Sequence, residues 1–248
     1  YVSGIGIMLY TLLCYKEVLV IFKISYLKKE RINQIVSFSL LTCIQQSVMN
    51  LGILMVQGLV NSFGTVVMAA FAAAVKIDAF AYMPVQDFGN AFSTFIAQNY
   101  GAKENERIKQ GLKDAVCISG LFCIVISVLV FVFAKPLMMI FLDAKETSII
   151  LEGIRYLRIE GAFYIGIGWL FLLYGLYRAL GRPGMSVVLT VFSLGTRVAL
   201  AYILSSIPTL GVIGIWWSVP IGWALADIVG FVYYKINKHN LLSFGGKL

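Results

Sequence analysis

Apolar residues run almost without interruption near 35–60, 66–99, 112–133, 157–177, 184–206 and 211–234, each stretch closed by a short charged or turn-forming segment. A helix rises 1.5 Å per residue and needs about 20 apolar residues to cross roughly 30 Å of hydrocarbon. Every stretch meets that length, so the pattern predicts six membrane-spanning helices. Tyr1 to Cys14 is also apolar but too short for a span. It carries no initiator Met, basic start or small-residue cleavage site, and it reads as the end of a preceding transmembrane helix, 1–14.

Two connecting segments have enough apolar character to lie on the membrane surface. Between Lys16/Glu17 and the KKER cluster at 28–31, VLVIFKISYL is too short and too charged to span. It predicts a surface-lying cytoplasmic linker, 15–34, with its Lys residues toward lipid headgroups. KPLMMIFLDAKETSII, 135–150, reads as a second interfacial helix with Pro136 in its first turn.

Composition supports the membrane reading. The chain is 60% hydrophobic with a mean hydropathy of +0.87, and its charged share of 13% is about half that of a soluble domain. The net charge of +8 comes from basic residues scattered at helix ends, which fits membrane topology and gives no nucleic-acid footprint. With Cys14 leaving the bilayer inside, the inner segments carry 14 Lys/Arg and the outer ones 4. That bias predicts that the lobe 35–235 crosses the membrane with the carboxyl terminus, 236–248, in the cytoplasm; the membrane expected is that of the cell. Cys14, Cys43, Cys117 and Cys123 lie in apolar runs without zinc or redox spacing. One histidine, His239, no HExxH and no phosphate-binding GxxxxGK[ST] leave no constellation for an enzyme, a cofactor or a metal.

Ionisable groups inside spans are the candidate chemistry, because burying them in hydrocarbon is costly. They are Lys76, Asp78, Asp87, Glu160, Arg197 and Asp227. The second span is the most polar, with Pro84 as a kink. Asp87, Asn90, Thr94 and Gln98 form one stripe at 100° per residue, and Lys76 returns to within about 20° of it. Such a face lines a water-filled cavity or bonds neighbouring helices, and both readings stand. Snorkelling or a structural ion pair suits Lys76 and Asp78 better than a site. In the fourth span Glu160, Tyr164, Phe171, Tyr174 and Arg178 share a helical face, whose aromatics would clasp a flat or cationic compound or simply pack. Glu160, near the outer end, is expected to be wet. Arg197 and Asp227 lie roughly 20 Å and 12 Å from their cytoplasmic ends. The preferred reading pairs them; the other leaves Asp227 free to carry a proton.

Across LVNSFGTVVMAAFAAAVKIDAFAYMPVQDFGNAFSTFIAQNYGAKENERIKQG, 59–111, the chain resembles the multidrug and toxic compound extrusion (MATE) transporters. The likeness continues through YLRIEGAFYIGIGWLFLLYGLYRALGRPGMSVVLT, with Arg178 and Gly181 at a helix end, and through IQQSVMNLG at 44–52. It implies an all-α integral membrane protein in which this six-helix bundle is the second lobe of a twelve-helix, two-lobe transporter whose amino-terminal lobe is missing here. Export of cationic or amphipathic drug-like compounds in exchange for H⁺ or Na⁺ is then expected. Gln45, Gln46, Tyr82, Asn90, Gln98, Tyr164 and Tyr174 are the candidate substrate-binding residues, and Asp87, Glu160 and Asp227 the candidates for ion coupling. Family members that bind cation in this lobe use acids in its first and fourth helices. The first helix here has none, and Glu160 falls about two turns outward of the expected position. Three alternatives remain: a lipid-linked precursor flippase of the same superfamily, which would want a cationic cavity, a membrane-embedded enzyme, and a non-transporting scaffold.

Overall fold

A computed structural model describes residues 2–14 and 29–241, and among them every regular element is a helix. In chain order they are α1 (Val2–Cys14), α2 (Lys29–Asn61), α3 (Thr65–Gly101), α4 (Asn105–Met139), α5 (Thr147–Gly161), α6 (Tyr164–Ala179), α7 (Pro183–Ser205) and α8 (Val212–Leu241). Five helices are long and apolar enough to cross a membrane, and a sixth span results when the bent pair α5 and α6 is counted as one. The interfacial linker expected over 15–34 lies outside the described residues as far as residue 28; from Lys29 onward the chain belongs to α2.

Two compact units divide the chain, Tyr1–Leu41 and Thr42–Leu248. In the first, α1 is an apolar helix with exposed side chains such as Val2, Ile7 and Leu13. The second contains the chemistry. Its centre is the pair α3 and α6: α3 packs on α4, α5 and α6, while α6 also packs on α4, α7 and α8.

Hydrocarbon gives helices no hydrophobic reason to associate, so close backbone contact and hydrogen bonds must hold them together. The α3/α6 crossing shows both. A Cβ added at Gly175 would lie 2.6 Å from the Gly89 carbonyl oxygen, and one added at Gly89 would lie 3.1 Å from that of Phe171. Ser93 Oγ donates to the Gly175 carbonyl at 2.9 Å. From Thr42 onward α2 is held by a thinner seam, where Gln45 Nε2 donates to Thr190 Oγ1 at 2.9 Å and Gly52 lies against Leu194.

Turn chemistry explains the helix ends. Gly181 has φ of 72° and closes α6: its N–H bonds the Arg178 carbonyl, and the Arg182 N–H reaches back to Tyr177 at 2.8 Å. This is a Schellman arrangement, in which glycine takes the left-handed position without steric penalty. Pro183 then opens α7 where its missing N–H costs nothing.

Two expectations are corrected. Pro136 does not begin a surface helix over 135–150; α4 bends at Phe133 and continues through Pro136 to Met139. Proline withholds the N–H that the Val132 carbonyl would otherwise accept, which favours a bend one turn earlier. The fourth span is not one straight face either, because α5 and α6 meet at 51° across Ala162 and Phe163. Glu160 and Tyr164 therefore belong to different helices.

Replacing Gly175 by Ala in the full-length protein should cost about 1–3 kcal/mol through overpacking at the crossing. Thermal unfolding in detergent checks this, with Gly184→Ala, where an added Cβ meets nothing within 4 Å, as the unaffected control.

Candidate functional site

Asp78 lies about a third of the way along α3, on the face that also carries Ala74, Tyr82 and Gly89. Small residues on that face let α5 and α6 approach, and the approach takes Asp78 out of solvent, leaving it 2% exposed. The Tyr164 hydroxyl, at the start of α6, donates to Asp78 Oδ1. Tyr156 and Glu160 arrive from α5, one turn apart, and line the same cavity as Asp78. Glu160 is 4% exposed. From α7, the half-buried Arg197 lines the same cavity without forming an ion pair with either acid.

These groups open onto a cavity of about 240 Å³ whose walls include Gln57, Tyr82, Gln86, Phe171, Tyr174 and Trp223. Its charged lining is Asp78, Glu160 and Arg197. Three buried polar atoms of that trio, Asp78 Oδ2, Glu160 Oε2 and Arg197 Nε, have no hydrogen-bond partner. A buried unsatisfied polar group costs about 1–3 kcal/mol, and more when charged.

Aromatic side chains close one end of the cluster. Phe71 stacks on Trp216 at 5.5 Å, and Tyr156 meets Trp216 edge-on at 4.8 Å. Trp216 is fully buried, and its Nε1–H donates to Glu152 Oε1 at 3.0 Å. At the opposite end a small polar pocket of about 80 Å³ is lined by Gln45, Gln46, Gln86, Asn90, Tyr174 and Arg178. There Arg178 Nη2 donates to Asn90 Oδ1 at 3.2 Å and Nε to the Tyr174 carbonyl. Tyr174 and Gln86 line both spaces and connect them.

The candidate residues thus separate into groups. Tyr82, Tyr174 and Glu160 line the larger cavity, Gln45, Gln46 and Asn90 the smaller pocket, and Tyr164 bonds the acid cluster from behind. Asp87, Thr94 and Gln98 are exposed and line neither. Asp78 and Asp87 are nine residues apart, which is 180° around a helix. The most polar stripe of α3 is consequently the face opposite the buried acid. Lys76 is exposed and stands 5.7 Å from the Phe141 ring centroid, not paired with Asp78.

Glu160 is buried, not wet, because it faces the cavity that Asp78, Tyr156 and Phe171 also line. Nor do Arg197 and Asp227 pair. Gly222 presses α8 onto the Arg197 backbone, and Asp227, five residues on, points about 140° away, toward Gly166 of α6. Its Oδ1 is unpartnered in an otherwise apolar crevice of about 470 Å³ lined by Phe163, Trp169 and Phe231. Among the described residues no cluster of three or more His, Cys, Asp or Glu side chains is placed to hold a metal ion. Spacing along a single helix does not single out Tyr156 or Asp78, because the surroundings of each come from other helices. Small residues around Asp78 were the available signal.

A family model described as MatE matches residues 39–203. The chain is 28% identical over 177 residues to a probable multidrug resistance protein, YoeA, of Bacillus subtilis, covering 71% of this chain and 38% of that one. It is 24% identical over 189 residues to a probable multidrug resistance protein, NorM, of Thermotoga maritima, covering 76% and 39%. An outward-facing multidrug resistance MATE family transporter superposes with a TM-score of 0.85 at 21% identity, over 95% of this chain and 53% of that structure. A MOP superfamily transporter from Pyrococcus furiosus, described as having a binding pocket of reverse polarity, gives 0.81 at 20% identity over 88% and 49%. The chain spans about two fifths of these curated relatives and about half of these structures.

Tyr164→Phe removes the donor to Asp78 Oδ1 and should cost about 1–3 kcal/mol of stability in the full-length protein. In an Asp78→Ala background the same change should cost almost nothing, since interacting residues are non-additive. A thermal-denaturation double-mutant cycle checks both.

Proposed function

The chain belongs to the multidrug and toxic compound extrusion (MATE) family, and on that premise we propose that the protein exports cationic, amphipathic compounds in exchange for H⁺ or Na⁺ by alternating access. The observation that carries this reading is the cavity of about 240 Å³, in which two carboxyl groups and one guanidinium are set among Tyr82, Phe171, Tyr174 and Trp223. Two carboxylates against one guanidinium attract a cation, and aromatic faces favour one with a flat body through cation–π contact. A drug-sized pocket is typically about 300–1,000 Å³. The cavity is smaller, so this lobe supplies one wall of the path and a companion lobe the other.

Charge sign argues against the flippase reading. A lipid-linked precursor bears phosphate and needs a wall rich in cations, whereas Arg197 here faces two acids. The membrane is proposed to be that of the cell, with the carboxyl terminus inside, on the Lys/Arg bias of 14 against 4.

Cells expressing the full-length protein should extrude ethidium, and collapse of the proton or the sodium gradient, applied separately, should abolish extrusion in one case only. Tyr82→Ala should lower extrusion several-fold at unchanged membrane abundance, read by dye fluorescence and immunoblot. Normal membrane insertion without extrusion of any cationic dye would contradict the reading.

A further inference from the structure

The small pocket next to the cavity has the opposite sign. Arg178 is the only charged side chain that lines it; the polar remainder of its wall is built mainly from the amides of Gln45, Gln46, Gln86 and Asn90. A guanidinium has five N–H donors. On Arg178, Nη2 donates to Asn90 Oδ1 and Nε to the Tyr174 carbonyl, each at 3.2 Å. Both acceptors are neutral. Arg178 is half-buried and forms no ion pair among the described residues. Asp87, one residue beyond Gln86, is exposed and does not line the pocket.

A cation in the last turn of a helix commonly serves the unpaired carbonyls there. At the end of α6 that need is already met. The carbonyls of Leu176, Tyr177 and Arg178 accept from the N–H groups of Leu180, Arg182 and Gly181, and Ser186 Oγ also donates to the Tyr174 carbonyl, at 3.1 Å. The guanidinium charge is therefore left for the pocket.

The amides complete the case. Asn90 accepts from Arg178 through Oδ1, which leaves its NH₂ group to donate elsewhere. Gln45 is fixed in the wall by its bond to Thr190 Oγ1. Gln46 and Gln86 each present an amide that donates as readily as it accepts. Donors thus gather around one positive charge with no carboxylate among them. The volume of about 80 Å³ is well below the roughly 300 Å³ at which drug-sized pockets begin, so only a group of a few atoms fits.

We propose that this pocket binds a small monovalent anionic group, held by the Arg178 guanidinium and the Asn90 amide. The group is a free halide or a carboxylate carried by a compound in the adjoining cavity, since Met49, Gln86, Phe171 and Tyr174 line both spaces. A divalent anion is disfavoured because a single guanidinium balances only one charge.

The experiment is thermal unfolding of purified full-length protein in detergent at fixed pH and ionic strength. Gluconate, too large for the pocket, is replaced stepwise by chloride or by acetate. The midpoint should rise with either small anion and level off at high concentration of it relative to gluconate, as for a ligand bound by the folded state alone. Arg178→Gln should lose the rise. Asn90→Asp supplies the counter-charge from within the pocket: it should melt above wild type in gluconate and respond to neither anion. That variant keeps the proposal testable if Arg178→Gln does not fold, and a guanidinium that merely braces α6 predicts neither of its effects. A wild-type midpoint that neither anion moves, or a rise that Asn90→Asp retains in full, would overturn the proposal. Fluorescence polarisation with a rhodamine carboxylic acid and its methyl ester names the source. A carboxylate brought by the compound makes the acid bind at least tenfold tighter than the ester, with chloride competing against the acid alone; a free halide leaves the two dyes equal. The inference does not rest on the export reading. Anion response without dye extrusion would contradict that reading alone, and extrusion without anion response would contradict this one alone.

Discussion

Two carboxyl groups are buried, beside a half-buried guanidinium, inside a bundle whose outer surface meets hydrocarbon, and the lobe is arranged around the cost of doing so. In such surroundings charge is tolerated only when it is balanced and hydrogen-bonded. Tyr164 supplies part of the bonding, Arg197 part of the balance, and the unpartnered oxygens of Asp78 and Glu160 mark what is left over. A site one charge short of neutrality is completed by a proton or by a cationic substrate, and it does not favour both together.

Placing these groups depends on backbone contact elsewhere. The glycine crossing of α3 on α6 brings Asp78 to the start of α6, and the 51° break between α5 and α6 folds Glu160 and Tyr156 over the same point. Without the break, Glu160 would continue along the line of α6 instead of facing Asp78 from a separate helix. The Phe71, Tyr156 and Trp216 rings then cap the cluster, so Tyr156 belongs both to the aromatic closure and to the polar centre.

Span number and helical class were legible in the residues because a bilayer imposes a length and an apolar run that a linear pattern displays directly. The motif around Asp78 and the Arg178/Gly181 helix end pointed to the family for the same reason: both are local in sequence. The site was less legible. Helical periodicity drew attention to Asp87, Thr94 and Gln98, the polar residues most conspicuous along α3, yet they are exposed. Asp78 looked like a residue near a helix end that would find water, and only its small neighbours, Ala74 and Gly89, hinted at the buried face. The departure of Asp227 from Arg197 was likewise hidden, because the direction of a side chain depends on which neighbour a glycine such as Gly222 admits. Depth along two helices does not contain that information.

Proton release on substrate binding tests the central claim most directly. Purified full-length protein in weakly buffered detergent would be titrated with a cationic dye while a pH indicator counts protons. Charge balance predicts about one proton released per dye bound, and none in Asp78→Asn or Glu160→Gln. Dye binding with no release, or release undiminished in both variants, would contradict it.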